Sequence, residues 1–206
     1  MRVKRYLGSV RSQLPAEAQI ILDRTLAGDA IVARRLPAMV PTRLLGHIVV
    51  LAYQIRTPNP SYRELLKAAC HPEKRHLLTD FWRPQMVRRM LARADFKVPQ
   101  LQGQVKIYRP LAGLPTRKAA AELFWTLSLD AAIANAEWAN TGRSRVLQAT
   151  VSPTDVIYWG RGKAGTPEIV TRRPFRADVI ELGENRVRRA AVETDTEENL
   201  RMRQLG

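Results

Sequence analysis

The sequence predicts an α+β chain, helical in its first half and sheet-forming in its second, and three observations carry that reading. Through residues 1–100, apolar side chains recur at helical spacing between prolines. From Val98 onward, short runs rich in Val, Ile and Tyr are separated by Gly, Pro, Asp and Ser, the texture of strands. Charge divides at the same place: residues 1–100 hold 18 basic and 7 acidic side chains, a net +11, and residues 101–185 hold 11 and 8, a net +3. The expected organisation is therefore a basic helical module over 1–100, a strand-rich domain over 101–185, and a charged, loosely held tail over 186–206. With 206 residues and 45% hydrophobic composition, the chain can bury one good core or two small ones.

The helical elements follow in order. Pro15 precedes AEAQIILDRTL, where Ala18, Ile21, Leu22 and Leu26 share a face. Pro41 precedes TRLLGHIVVLAYQI, with Leu44, Leu45, Ile48, Leu51, Ala52 and Ile55 in the same relation. That stretch is the most apolar in the chain, yet His47, Arg43 and Arg56 leave it far short of a bilayer span, so it is expected in a core. TPNP at 57–60 breaks the chain, and Ser61 with Glu64 three residues on has the pattern of a capping box opening YRELLKAAC. A fourth helix starts near Pro84, with Met86, Met90 and Leu91 on one side and Arg88, Arg89 and Arg93 gathered on an arginine-rich face. A basic face attracts polyanions, which makes nucleic acid or an acidic protein an expected partner of this half. The alternative is a solvated arginine surface.

In the second half, GQVKIYRP, RVLQATV, DVIYWG, PEIV and DVIEL read as strands, SLDAAIANAEWAN as the one helix, and PTD as a helical turn. FWTLS, ahead of that helix, reads as a strand handing over to it.

Most familiar chemistries find no footing. Cys70, His71 and His76 cluster, but they lack a fourth ligand and a zinc-site spacing, so no metal is expected. RGKAG at 161–165 lacks the strand-loop-helix context of a phosphate loop and reads as a basic hairpin. No nucleophile elbow is present. The helix pair within Ser61–Ala94 could read DNA, though such pairs are common. A lone cysteine excludes an internal disulfide framework and fits a reducing compartment; with no signal-like segment at the N-terminus, a cytoplasmic location and no membrane are expected.

One ordered set remains: IYRP at 107–110, FWTLSLDAAIANAEWA at 124–139, VLQATVSPTDVIYW at 146–159 and GTPEIV at 165–170. In that order they resemble the arginine, serine, glutamate class of ADP-ribosyltransferases, particularly its phage- and prophage-encoded branch, over roughly residues 103–182. The resemblance implies a split, mostly antiparallel β-sandwich that grips NAD between its two sheets. It also implies mono-ADP-ribosyl transfer from NAD, as substrate, to a macromolecular acceptor, in a bacterial or phage-infected cytoplasm. By the same resemblance Arg109 would bind an NAD phosphate, Thr126 would support the ribose and the catalytic glutamate, with Ser128 the second candidate for that hydroxyl, and Glu168 would be the catalytic carboxylate. Trp125 would line the site or face the core.

Two positions depart from the family pattern. Pro110 replaces the glycine that follows the arginine, which fixes φ and removes an N–H donor. Thr166 stands where arginine-modifying members carry a second Glu or Gln, so the acceptor is open to other side chains or to nucleic acid. Read without the family, Arg109 is a surface charge, Thr126 and Ser128 are a helix cap, and Glu168 is a solvated carboxylate. The competing function is nucleic-acid binding, with the strand-rich half inactive. A third reading keeps the fold but hydrolyses NAD or acts on an RNA phosphate.

Overall fold

The computed structural model of the protein describes residues 2–79, 82–111, 113–138, 145–162, 165–172 and 177–181. The expected tail over 186–206 and part of the RGKAG hairpin lie outside them. Two compact units emerge: Met1–Pro99 with Ile157–Lys163, and Gln100–Val156 with Ala164–Gly206.

The first unit holds α1 (Arg2–Arg11), α2 (Ala16–Ala27), α3 (Ala30–Ala33), α4 (Leu36–Met39), α5 (Thr42–Gln54), α6 (Asn59–Ala69), α7 (His76–Thr79) and α8 (Pro84–Ala94). Prolines start several of them, as the sequence suggests: Pro15 and Pro41 are the N-caps of α2 and α5, where a missing N–H costs nothing. Gly28 ends α2 in the left-handed region at φ 114°, its N–H returning to the last carbonyls. Apolar spacing becomes core: Ala18, Ile21 and Leu22 of α2 are buried, and in α5 burial runs from Leu44 to Ala52 apart from half-buried His47. Gly46 lets α7 approach α5, since a Cβ there would lie 2.9 Å from the Leu77 carbonyl oxygen. The short helix α6 is central, packing against α2, α3, α4, α5 and α8.

Residues 2–11 add a further helix; Tyr6 brings it to α5 by hydrogen-bonding His47 Nδ1 at 2.5 Å, and Val10 is buried. Two expectations for this unit are corrected. Ser61 is not a cap: α6 begins at Asn59, Pro60 fits within its first turn, Ser61 is fully buried, and Glu64 instead pairs with Arg34 at 3.2 Å. Ile55, expected on the apolar face, is the C-cap of α5 and is exposed.

The second unit is built on β1 (Val105–Pro110), α9 (Thr116–Ala121), β2 (Trp125–Thr126), α10 (Leu129–Trp138), β3 (Arg145–Val151), a 3₁₀ turn at Pro153–Asp155, β5 (Pro167–Thr171) and β6 (Asp178–Glu181), while β4 (Val156–Arg161) belongs, from Ile157 on, to the first unit. Strand order in the sheet is β4-β5-β2-β1-β3-β6. β1 runs antiparallel to β2 and β3, β2 to β5, and β3 to β6. The expected sandwich is therefore replaced by one antiparallel six-stranded sheet. Its continuity depends on β2, which is two residues long: Thr126 pairs with Tyr108 on one side and Glu168 on the other, whereas Trp125 pairs with Ile169. The helix α9 was also not expected, although Pro115 ahead of TRKAAA is a start signal of the kind seen at α2 and α5.

Among the described residues, no helix is long and apolar enough to cross a membrane.

Candidate active site

Because side chains alternate across a strand, residues directly opposite in a ladder share a face. The register thus sets Tyr108, Thr126 and Glu168 in one row across β1, β2 and β5. Three segments distant in sequence, IYRP, FWTLS and TPEIV, meet at that row. Tyr108 packs against the cluster formed by Ala132, Ile133 and Ala136 of α10 with Val146 of β3, so α10 covers this face of the sheet beside the row. Thr126 is buried and Glu168 half-buried.

The hydroxyls at the seam hold backbone. Thr126 Oγ1 donates to the Pro167 carbonyl at 3.3 Å and accepts from the Ser128 N–H at 3.1 Å, while Leu127 N–H donates to the same Pro167 carbonyl at 3.1 Å. Thr126 therefore fastens β2 to the residue that precedes Glu168. Ser128 Oγ accepts from the Ala131 N–H at 3.1 Å and so caps α10.

Trp125 alternates to the opposite face and is 1% exposed; its indole N–H donates to the Glu122 carbonyl at 3.3 Å. Of its two expected places, it takes the core. Arg109 also alternates away from the row. Its guanidinium faces the segment that joins α9 to β2: Nη2 lies 3.3 Å from Glu122 Oε2, and Nη1 donates to the Phe124 carbonyl. The sheet thus brings Thr126 and Glu168 together and sets Arg109, next to Tyr108 in sequence, across the sheet plane from them. Glu122 and the Phe124 carbonyl were not anticipated as Arg109 partners. A glutamate after an alanine-rich helix carries no spacing signal that points to an arginine on another strand.

The basic and metal candidates of the first unit disperse. At 100° per residue, Arg89 and Arg93 lie about 40° apart on α8 and Arg88 about 100° from Arg89, and the three meet different surroundings. Arg88 is buried, which pushes its guanidinium below its ordinary range, and Arg89 is exposed. Arg93 donates to the carbonyls of Tyr53 and Thr57 at 2.6 and 2.7 Å, with its guanidinium 4.8 Å from the ring centre of Tyr62 and 5.4 Å from that of Tyr53. It adds a second donor at the end of α5, where the Tyr53 carbonyl also accepts from the Arg56 N–H, rather than offering charge outward. Cys70 is buried and its thiol pushed up by burial, while His71 and His76 are exposed. No group of three potential metal ligands occurs among the described residues.

Compared with known proteins, the chain matches no family model, no curated protein and no solved structure.

Proposed function

We propose that the second unit transfers ADP-ribose from NAD to a macromolecule, with Glu168 as the catalytic carboxylate and Thr126 as its support. The observation that carries this is the two-sided pairing of Thr126, which joins the tyrosine-arginine strand, the hydroxyl seam and the glutamate strand in one row. In the reaction, the bond from ribose C1′ to the nicotinamide nitrogen breaks and its electron pair neutralises the pyridinium. The ribose is left as an oxocarbenium-like species, and a nucleophilic atom of the acceptor adds to C1′ as it loses a proton. Nicotinamide leaves neutral, so one carboxylate suffices where an ordinary glycosidase uses two. A carboxylate set beside the ribose 2′-hydroxyl favours the positive transition state over the substrate.

The acceptor chemistry remains that of a protein side chain or a nucleic acid, with Thr166 leaving no second acid to activate a guanidinium. The test is incubation with labelled NAD and a bacterial lysate, followed by separate nuclease and protease digestion. Label on a macromolecule, released by one digestion, is expected. Absence of macromolecular label together with absence of NAD binding by calorimetry would refute the proposal. NAD consumption without label would make the site a hydrolase.

A further inference from the structure

Resting on that reading, we infer that Arg109 and Glu122 form a clamp that positions Thr126, and that Arg109 serves the reaction through this clamp rather than by holding an NAD phosphate. β2 is two residues long. Two residues give a strand little register of its own, and a slip of one residue would turn Trp125 out of the core and Thr126 away from Glu168. Something beyond the ladder has to fix where the strand starts.

The segment leading into it supplies that. Glu122 is the C-cap of α9; its N–H returns to the Ala119 carbonyl, its own carbonyl accepts from the Trp125 indole, and its carboxylate meets Arg109. Two residues on, the Phe124 carbonyl accepts from the other terminal nitrogen of the same guanidinium. One planar fork on β1 therefore grips both ends of the Glu122–Phe124 segment, a task suited to arginine because its donors are fixed relative to each other. The grip comes from the strand that pairs with Thr126 through Tyr108, so segment and strand are referenced to one element. Arg109 lies on the opposite face from Thr126 and Glu168, and both terminal nitrogens of its guanidinium already have protein partners. Arg109 and Glu122 are thus positioning residues.

The test uses Arg109→Lys, Glu122→Gln and the double variant in the full chain. Lysine keeps the charge that would attract a phosphate but cannot span both partners, and glutamine removes the charge that holds the fork. Three quantities are read: amide hydrogen exchange at Leu127 and Ser128, the NAD dissociation constant, and the rate of label transfer. Loss of a charge-assisted bond should speed exchange at those two amides and lower the transfer rate, each by about tenfold, in either single variant. The NAD dissociation constant should stay within about twofold, and the double variant should be no worse than the singles, since both break one clamp. Glu122→Asp, which keeps the charge, should recover part of the rate. Unchanged exchange in both singles would overturn the clamp. So would weaker NAD binding in Arg109→Lys with tighter binding in Glu122→Gln, the signature of Glu122 competing with a phosphate. A wild-type chain that transfers no label would sink the transferase reading alone, and the exchange data would still decide the clamp.

Discussion

Helix α6 and strand β2 occupy central places in their respective units, and they are held there by different means. α6 is buried against five helices by Tyr62, Leu65, Leu66 and Ala69, so its position is set many times over by apolar packing. β2 is set by one pair on one side, two on the other, and a few polar bonds from Arg109, Thr126 and the Trp125 indole. Packing against many neighbours is costly to disturb but insensitive to angle. A short strand held by directed bonds costs little to loosen, yet a small displacement moves Thr126 relative to Glu168. Damage to the first element should appear in stability, and damage to the second in chemistry.

The largest stability effect is expected at α6. Leu66 is fully buried, and Leu66→Ala should lower the unfolding free energy by about 2–5 kcal/mol in urea titrations, the range for a leucine cavity that neighbours fill only in part. Label transfer per folded molecule should be unchanged. A loss below about 1 kcal/mol would mean that the hub position can collapse around the void, and the contrast with β2 would lose its basis.

Arg93→Met is the next step down. It keeps much of the stem over the Tyr53 and Tyr62 rings but removes the donors to the Tyr53 and Thr57 carbonyls, so about 1–3 kcal/mol should be lost. Binding of a short duplex DNA, measured against salt, should not change, because Arg93 faces its own helix ends. A large drop in DNA affinity would return Arg93 to the outward basic face expected from sequence.

The smallest effect sharpens the same contrast at a surface cap. Asp29 accepts from the Val32 N–H and pairs with Arg24 at 2.6 Å, and these contacts, the backbone bond foremost, hold its carboxyl below the usual aspartate range. A depressed folded value means the cap stabilises fully above the unfolded aspartate value near 3.8 and loses that contribution as pH falls through the lower folded value. Thermal melts below pH 4 should therefore converge for wild type and Asp29→Ala while differing slightly at pH 7. Curves separated equally at both would exclude the cap as the source.

Much of this was legible in the sequence where the signal is local or periodic. The Pro-started helices at 16–27, 42–54 and 84–94 follow from apolar spacing that repeats over three turns, and RVLQATV is a strand from end to end. Pairing partners were not legible, because no local pattern says that β2 lies between β1 and β5, and the single sheet in place of two follows from that one insertion. Arginines were the least legible. Arg88, Arg93 and Arg109 look alike as charges in a string, yet one is buried, one closes a helix end and one grips a loop, uses that depend on carbonyls and carboxylates brought from elsewhere. The residues Thr126 and Glu168 could be singled out, but that they stand opposite each other is a property of the ladder.

The most direct test of the transferase reading compares Glu168→Gln with wild type in NAD calorimetry and label transfer. Glutamine keeps the size and much of the hydrogen bonding but not the charge, so NAD affinity should survive while transfer falls on the order of 10²- to 10³-fold. A Glu168→Gln protein that transfers label at the wild-type rate would contradict the role of Glu168 and, with it, the meaning given to the row through Thr126.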